Sequence, residues 1–159
     1  MDLDRLDCSL LRELSGDGRA SHVDLSLRVG LSTTACARRI KALEDEGVIK
    51  GYAAMFDLGY LGLNTTVLVR ITLNSQSEEA LHKFEGAVRR CTSVIRCFLM
   101  SGSDDYLVTV LARDIRDFEH IHRTQLSCLP HVAHMQSSFA LREVINRGVP
   151  PGAFGAAAG

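Results

Sequence analysis

Residues 32–43 gather the groups best suited to grip a polyanion. Ser32, Thr33 and Thr34 supply short hydroxyls; Arg38, Arg39 and Lys41 follow, and no Asp or Glu lies between Ser32 and Leu43. Arg can pair bidentately with a guanine edge, and both Arg and Lys hold phosphates. Cys36, Ile40 and Leu43 fall on the opposite side at helical spacing, so one face can pack while the other meets nucleic acid. A second concentration is Ser101-Gly102-Ser103-Asp104-Asp105-Tyr106, with Met100 leading into it. Gly102 permits a backbone that exposes amides to a carboxylate. Asp104 and Asp105 can accept hydrogen bonds from an ammonium group, and Tyr106 offers a ring and a hydroxyl. That set suits a zwitterion such as an amino acid. Both patterns have a plainer reading as well: a solvated basic helix face, and a Gly-Asp turn in an ordinary hairpin.

The elements that must position these groups are legible in the periodicity. Leu3, Leu6, Leu10, Leu11 and Leu14 follow a 3.6-residue period, which predicts a first helix ended by Gly16-Asp17-Gly18. Ser21 with Asp24 three residues on is a capping-box pattern, and Leu25 and Val29 make the inner face of a second helix. Gly30-Leu31-Ser32 reads as a tight turn with Ser32 capping the third helix, which Glu44-Asp45-Glu46-Gly47 closes. Two helices joined by a Gly-containing turn, with a third before them, describe a helix-turn-helix. Residues 48–52 read as a short extended piece.

Further on, Val67, Val69, Ile71 and Leu73 alternate as a strand, and Ser77 caps a helix with Leu81, Phe84 and Val88 inward. Strands are expected over 94–100 and 106–112. Asp114 caps a helix whose inner residues are Ile115, Phe118, His122 and Leu129, and Pro130 stops it before a long final strand over 132–145. The order strand, helix, strand, strand, helix, strand is the ferredoxin-like arrangement, with both helices on one face of an antiparallel sheet. The other face, apolar or small in several strands, is expected to pack on a partner subunit. The fold class is α+β. The expected domains are a helix-turn-helix over 1–50, a hinge or short strand over 51–62, a ferredoxin-like domain over 63–147, and a mobile Gly/Ala/Pro tail over 148–159.

Bulk composition removes whole classes. The hydrophobic fraction of 46% is too high for a disordered chain, and no apolar run approaches the roughly 18 residues of a membrane helix. The start, Met1-Asp2-Leu3-Asp4, does not read as a signal peptide. Five cysteines without a CxxC pair point to reduced thiols in a cytoplasmic setting rather than a disulfide framework. The net charge of -1 excludes binding to nucleic acid by bulk charge alone. It does not exclude a local basic surface.

The stretch over 3–52 resembles the N-terminal domain of the leucine-responsive regulatory protein and AsnC family, the feast/famine transcription regulators. The matching pieces are Leu3-Asp4 with Asp7, Asp17-Gly18-Arg19, Val29-Gly30-Leu31-Ser32, Arg38-Arg39-Ile40-Lys41-Ala42-Leu43-Glu44 and Gly47-Val48-Ile49-Lys50-Gly51-Tyr52. The likeness continues to about residue 145. It departs where many relatives carry prolines after the Ser that opens the recognition helix; Thr33 and Ala35 stand there, so the preferred DNA sequence does not transfer. The resemblance implies a regulator that binds double-stranded DNA through Ser32, Thr33, Thr34, Arg38, Arg39 and Lys41. It implies a small effector, an amino acid or a derivative, at Met100, Ser101, Gly102, Asp104, Asp105 and Tyr106, where the segment resembles the family's Gly-x-x-Asp-Tyr loop. A partner strand is expected to add Gln136 and Ser138. Homodimers that assemble to octamers are implied, with no cofactor.

Other reactive residues read more plainly. Cys128, His131 and His134 have ligand-like spacing, but Pro130 and a helix-to-strand change would point them apart, so no metal is expected. Cys91 and Cys97 lack the setting of a redox pair. No nucleophile, base and orienting group form a catalytic set. An amino-acid sensor or an enzyme of ferredoxin-like fold without DNA binding stays open as the alternative on the residues alone.

Overall fold

A computed structural model describes residues 2–155. The chain divides into two compact units, one of Met1–Met55 with Ile145–Gly159, the other of Phe56–Val144.

In the first unit, α1 (Arg5–Gly16) starts at Asp4, whose carboxylate accepts from the amides of Leu6 and Asp7 while Asp7 reaches back to the Asp4 amide. α2 (His22–Val29) has the expected Ser21/Asp24 capping box and ends at Gly30 with φ of 72°, a left-handed turn that glycine adopts without a Cβ clash. α3 (Thr33–Asp45) is capped by Ser32. Leu10, Leu25, Cys36 and Ile40 form the core between them. The extended piece expected over 48–52 is not a strand, nor does the 51–62 linker contain one. A lone strand has no ladder to satisfy its backbone groups; instead, Leu58 to Leu63 is held by turns. The mobile tail expected over 148–159 is also revised. Pro151–Phe154 forms a 3-10 turn against α1, where Arg12 donates to the Phe154 carbonyl at 2.8 Å. Residues 156–159 of that expected tail lie outside the described residues.

The second unit is a four-stranded antiparallel sheet of β1 (Thr65–Leu73), β2 (Val94–Leu99), β3 (Tyr106–Ala112) and β4 (Val132–Phe139), in the order β2-β3-β1-β4. α4 (Glu78–Val88) and α5 (Ile115–Ile121) cover one face. The core joins Val67, Val69 and Ile71 of β1 and Val108 and Val110 of β3 to Phe84, Val88, Phe118 and Ile121 of the helices.

Two expectations change in detail. β4 stops at Phe139 rather than 145, because its partner β1 begins at Thr65; the Ala140 amide makes the last ladder bond, to Thr66. After α5 the chain makes a π turn, His122–Leu126, closed by the Ser127 amide on the His122 carbonyl at 2.8 Å. The wider turn shifts the helical phase. Leu126 and Leu129 enter the core, while Ile115, expected inside, is exposed and His122 packs edge-on against Phe118.

Among non-glycine residues described, His131 alone has positive φ, 63°. It sits at the register shift where β4 begins, and its carbonyl accepts from the Asn74 amide. An L residue in that region carries strain of roughly 1–2 kcal/mol, partly offset by the unfolded-state entropy that a glycine would add. His131→Gly is expected to stabilise the second unit by about 0.5–1 kcal/mol, and His131→Val to destabilise it. Urea midpoints that fall in the opposite order would contradict the strain.

Candidate functional site

Helix α3 presents its polar side as the sequence suggests, with one exception. Ser32, Thr33, Thr34, Arg38 and Lys41 are exposed. The Ser32 hydroxyl accepts from the Ala35 amide as the helix cap. Lys41 meets Asp45 at 3.1 Å one turn on, an exposed pair of small worth that a phosphate can displace. Among the described residues Arg38 makes no ion pair or side-chain hydrogen bond. Arg39 differs. Its Nη1 lies 2.8 Å from both Asp4 Oδ2 and Asp7 Oδ1, and the Asp7 side chain is 4% exposed. Expected on the DNA surface, Arg39 instead ties α3 to the capped start of α1.

That clamp has a pH sign. The Asp7 backbone amide, chiefly, with Arg39 and the Leu6 amide, holds the Asp4 carboxyl below its ordinary 3.8. A depressed carboxylate contributes stability above its unfolded value that is lost as pH falls through the folded one. Neutral Arg38 and Arg39 substitutions should therefore separate. Arg39→Ala strands the buried Asp7 carboxylate and is expected to cost about 1–3 kcal/mol, whereas Arg38→Ala leaves the melting temperature of the first unit unchanged. Equal melting temperatures for the two variants would return Arg39 to the surface set.

The loop between β2 and β3 forms a cavity of about 290 Å³, lined by residues 100–104 with Arg70, Tyr106 and Leu107. Gly102 has φ of 120°, and nothing stands where a Cβ would be. Asp104 is 3.8 Å from Arg70 Nε. Asp105 is not presented to the cavity. It is buried, its Oδ2 accepts from the Leu73 amide at 2.7 Å, and its Oδ1 accepts from Gln76 at 2.9 Å. Tyr106 is 1% exposed, stacks on Phe84 at 4.4 Å and donates its hydroxyl to Glu85 at 2.9 Å. Burial and then the Glu85 carboxylate push that hydroxyl's pKa up. Asp105, expected to contact a ligand, instead belongs to the frame of the loop, and Tyr106 belongs to that frame while also lining the cavity. Of the residues expected to meet a ligand, Met100, Ser101, Gly102, Asp104 and Tyr106 line the cavity, together with Arg70, Ser103 and Leu107. Arg70 escaped the sequence reading because it is the polar member of an ordinary strand alternation. Gln136 and Ser138 lie on the open sheet face, in register with Arg70 and Leu68, and do not line this chain's cavity.

Among the described residues no group of three His, Cys, Asp or Glu side chains is placed to hold a metal ion. Burial pushes the Cys91 and Cys97 thiols up, away from the reactive thiolate.

The chain matches the Lrp/AsnC ligand binding domain model over residues 66–150 and a winged helix-turn-helix DNA-binding model over residues 3–50. The chain belongs to the Lrp/AsnC family. This is a family of transcription regulators, not of enzymes. The chain is 39% identical over 150 residues to the Bkd operon transcriptional regulator of Pseudomonas aeruginosa, covering 94% of this chain and 98% of that one. It resembles an AsnC family regulator from Agrobacterium tumefaciens with a TM-score of 0.89 at 33% identity, over 95% and 98% of the two chains. It also resembles a transcriptional regulator of Neisseria meningitidis, solved as an L-Met complex, with a TM-score of 0.88 at 34% identity, over 93% and 96%. Within the Lrp/AsnC fold, then, the basic helix and the loop cavity fall in the DNA-binding and ligand-binding domains respectively.

The frame role of Asp105 is open to test. Asp105→Ala leaves the Leu73 amide and Gln76 without their acceptor and is expected to cost about 1–3 kcal/mol. Its melting temperature should fall in the absence of any ligand; a wild-type melt would return Asp105 to the ligand contacts.

Proposed function

We propose that this protein is a cytoplasmic transcription regulator that binds double-stranded DNA through α3 and responds to an amino acid held in the loop cavity. The observation that carries the reading is the pairing, in one chain, of a free basic helix-turn-helix surface with a cavity lined by both a cation and a carboxylate. Ser32, Thr33, Thr34, Arg38 and Lys41 are the DNA-facing set. Met100, Ser101, Gly102 and Asp104 hold the effector. The Neisseria relative's complex with L-Met supports an amino acid as its class. No helix among the described residues is long and apolar enough to cross a membrane.

The open sheet face carries Leu68 and Phe98, 39% and 50% exposed, beside Leu107 and Leu111. This apolar surface is where subunits pair, and dimers associate further toward the octamer. A partner's strand can then add its Gln136 and Ser138 near the cavity. Pairing matters for DNA, since two recognition helices about 34 Å apart read two half-sites. The effector acts by binding one arrangement of subunits better than another.

The test is the salt dependence of affinity for duplex DNA selected from a random pool. Arg38→Ala is expected to weaken binding and to lower the slope of log affinity against log salt by about one for each engaged subunit, with the oligomer unchanged in sedimentation. A wild-type protein with no salt-dependent affinity for any duplex would replace this reading with that of an amino-acid sensor.

A further inference from the structure

Arg70 stands out once Asp105 and Tyr106 are assigned to the frame. It is on the open face of β1, level with Leu107 on β3 and Gln136 on β4. Its Nε is 3.8 Å from Asp104 Oδ2, and the two side chains are 54% and 36% exposed. A charge-assisted hydrogen bond would be about 2.7–2.9 Å long, so this is a loose pair. Exposed pairs of that kind are worth little. Among the described residues Arg70 has no other side-chain partner. Most of its five N–H donors, whose planar fork matches a carboxylate, are therefore left for something else. Among the described residues, Asp104 is the only carboxylate lining the cavity and Arg70 the only cation.

We infer that Arg70 is a specificity-determining residue that reads the carboxylate of the effector, with Asp104 taking the ammonium group. The inference rests on the loop cavity being the effector site. A zwitterion carries its two charges a few bonds apart, so it can enter between the paired side chains and replace one loose ion pair by two hydrogen-bonded ones. Gln136 stands directly across from Arg70 on β4, outside this chain's cavity, so it competes with no ligand carboxylate there. Met100 and Leu107 supply the apolar wall. No further charge lines the cavity, so the ligand class is an α-amino acid with a free carboxylate, a free ammonium and an uncharged side chain. Amino-acid amides and simple amines lack the group that Arg70 reads.

The test uses the full-length protein and the twenty standard L-amino acids in a thermal-shift screen. Calorimetry follows with the strongest binder, its carboxamide and its decarboxylated amine. The variants are Arg70→Met, Arg70→Lys and Gly102→Val, each first melted without ligand to confirm folding. Arg70→Met is expected to weaken the amino acid by about ten- to a hundredfold. It should bind the acid and the carboxamide almost equally, because the discriminating partner is gone. Arg70→Lys, which keeps the charge without the fork, should fall between. Wild-type affinity in Arg70→Met would overturn the inference and leave the loop amides as the carboxylate site. Wild-type affinity in Gly102→Val would overturn the placement of the effector in this cavity. Failure of the wild type to bind any amino acid would overturn the effector reading and this inference with it.

Discussion

The buried carboxyl group of Asp105 sets the form of the β2–β3 loop in the ligand-binding unit. Its two oxygens accept from the Leu73 amide and the Gln76 side chain, and its own amide donates to the Ile71 carbonyl. These bonds fasten the start of β3 to the end of β1. The backbone of 101–104 must therefore arch outward between β2 and β3. Gly102 takes the positive φ that the arch needs, and Asp104 is left on the outside beside Arg70. A buried carboxyl group whose two oxygens each accept a hydrogen bond is costly to disturb. The cavity is thus built before any ligand arrives, which lowers the ordering cost of binding.

The same division of labour occurs in the DNA-binding unit. Arg39 has the chemistry of a phosphate ligand, yet it is held by Asp4 and Asp7. Those two acids also cap each other's end of α1. One guanidinium therefore offsets part of the negative charge at that helix start and ties α3 to it. In both units the side chain that looks most reactive holds the backbone, while its sequence neighbour, Asp104 or Arg38, faces outward.

Periodicity and caps carried most of the fold. Ser21, Ser32, Ser77 and Asp114 each stand at a helix start as read, while the Asp4 cap of α1 was not read, and the alternation of β1 places Val67, Val69 and Ile71 inside. What was not legible depends on contacts distant in sequence. The end of β4 is decided by where β1 begins, some seventy residues earlier. The phase change after Ile121 comes from an extra residue in one turn, which a strict 3.6 period cannot show. Arg39 and Asp105 were read by side-chain type, which is silent about a partner 32 residues away. Arg70 was passed over for the converse reason: only the loop's position makes a strand residue part of the cavity.

The clamp also changes the meaning of the charge pattern. The first sixty residues hold eight Lys and Arg against ten Asp and Glu, a sum of -2. The run over 32–43 sums to +3, but Arg39 is already neutralised within the domain and Lys41 shares Asp45. Among the described residues of α3, Arg38 alone is left without an acidic partner to release counterions from a duplex, and each phosphate contact contributes a modest factor. On the proposed reading, a helix this lean would draw on base contacts from the short hydroxyls and Arg38, and on linked copies whose second helix binds at high effective concentration. On that proposal, DNA affinity would depend steeply on how the sheet faces assemble. A ligand seated at the β2–β3 loop, beside that face, needs only a small preference for one assembly to change it.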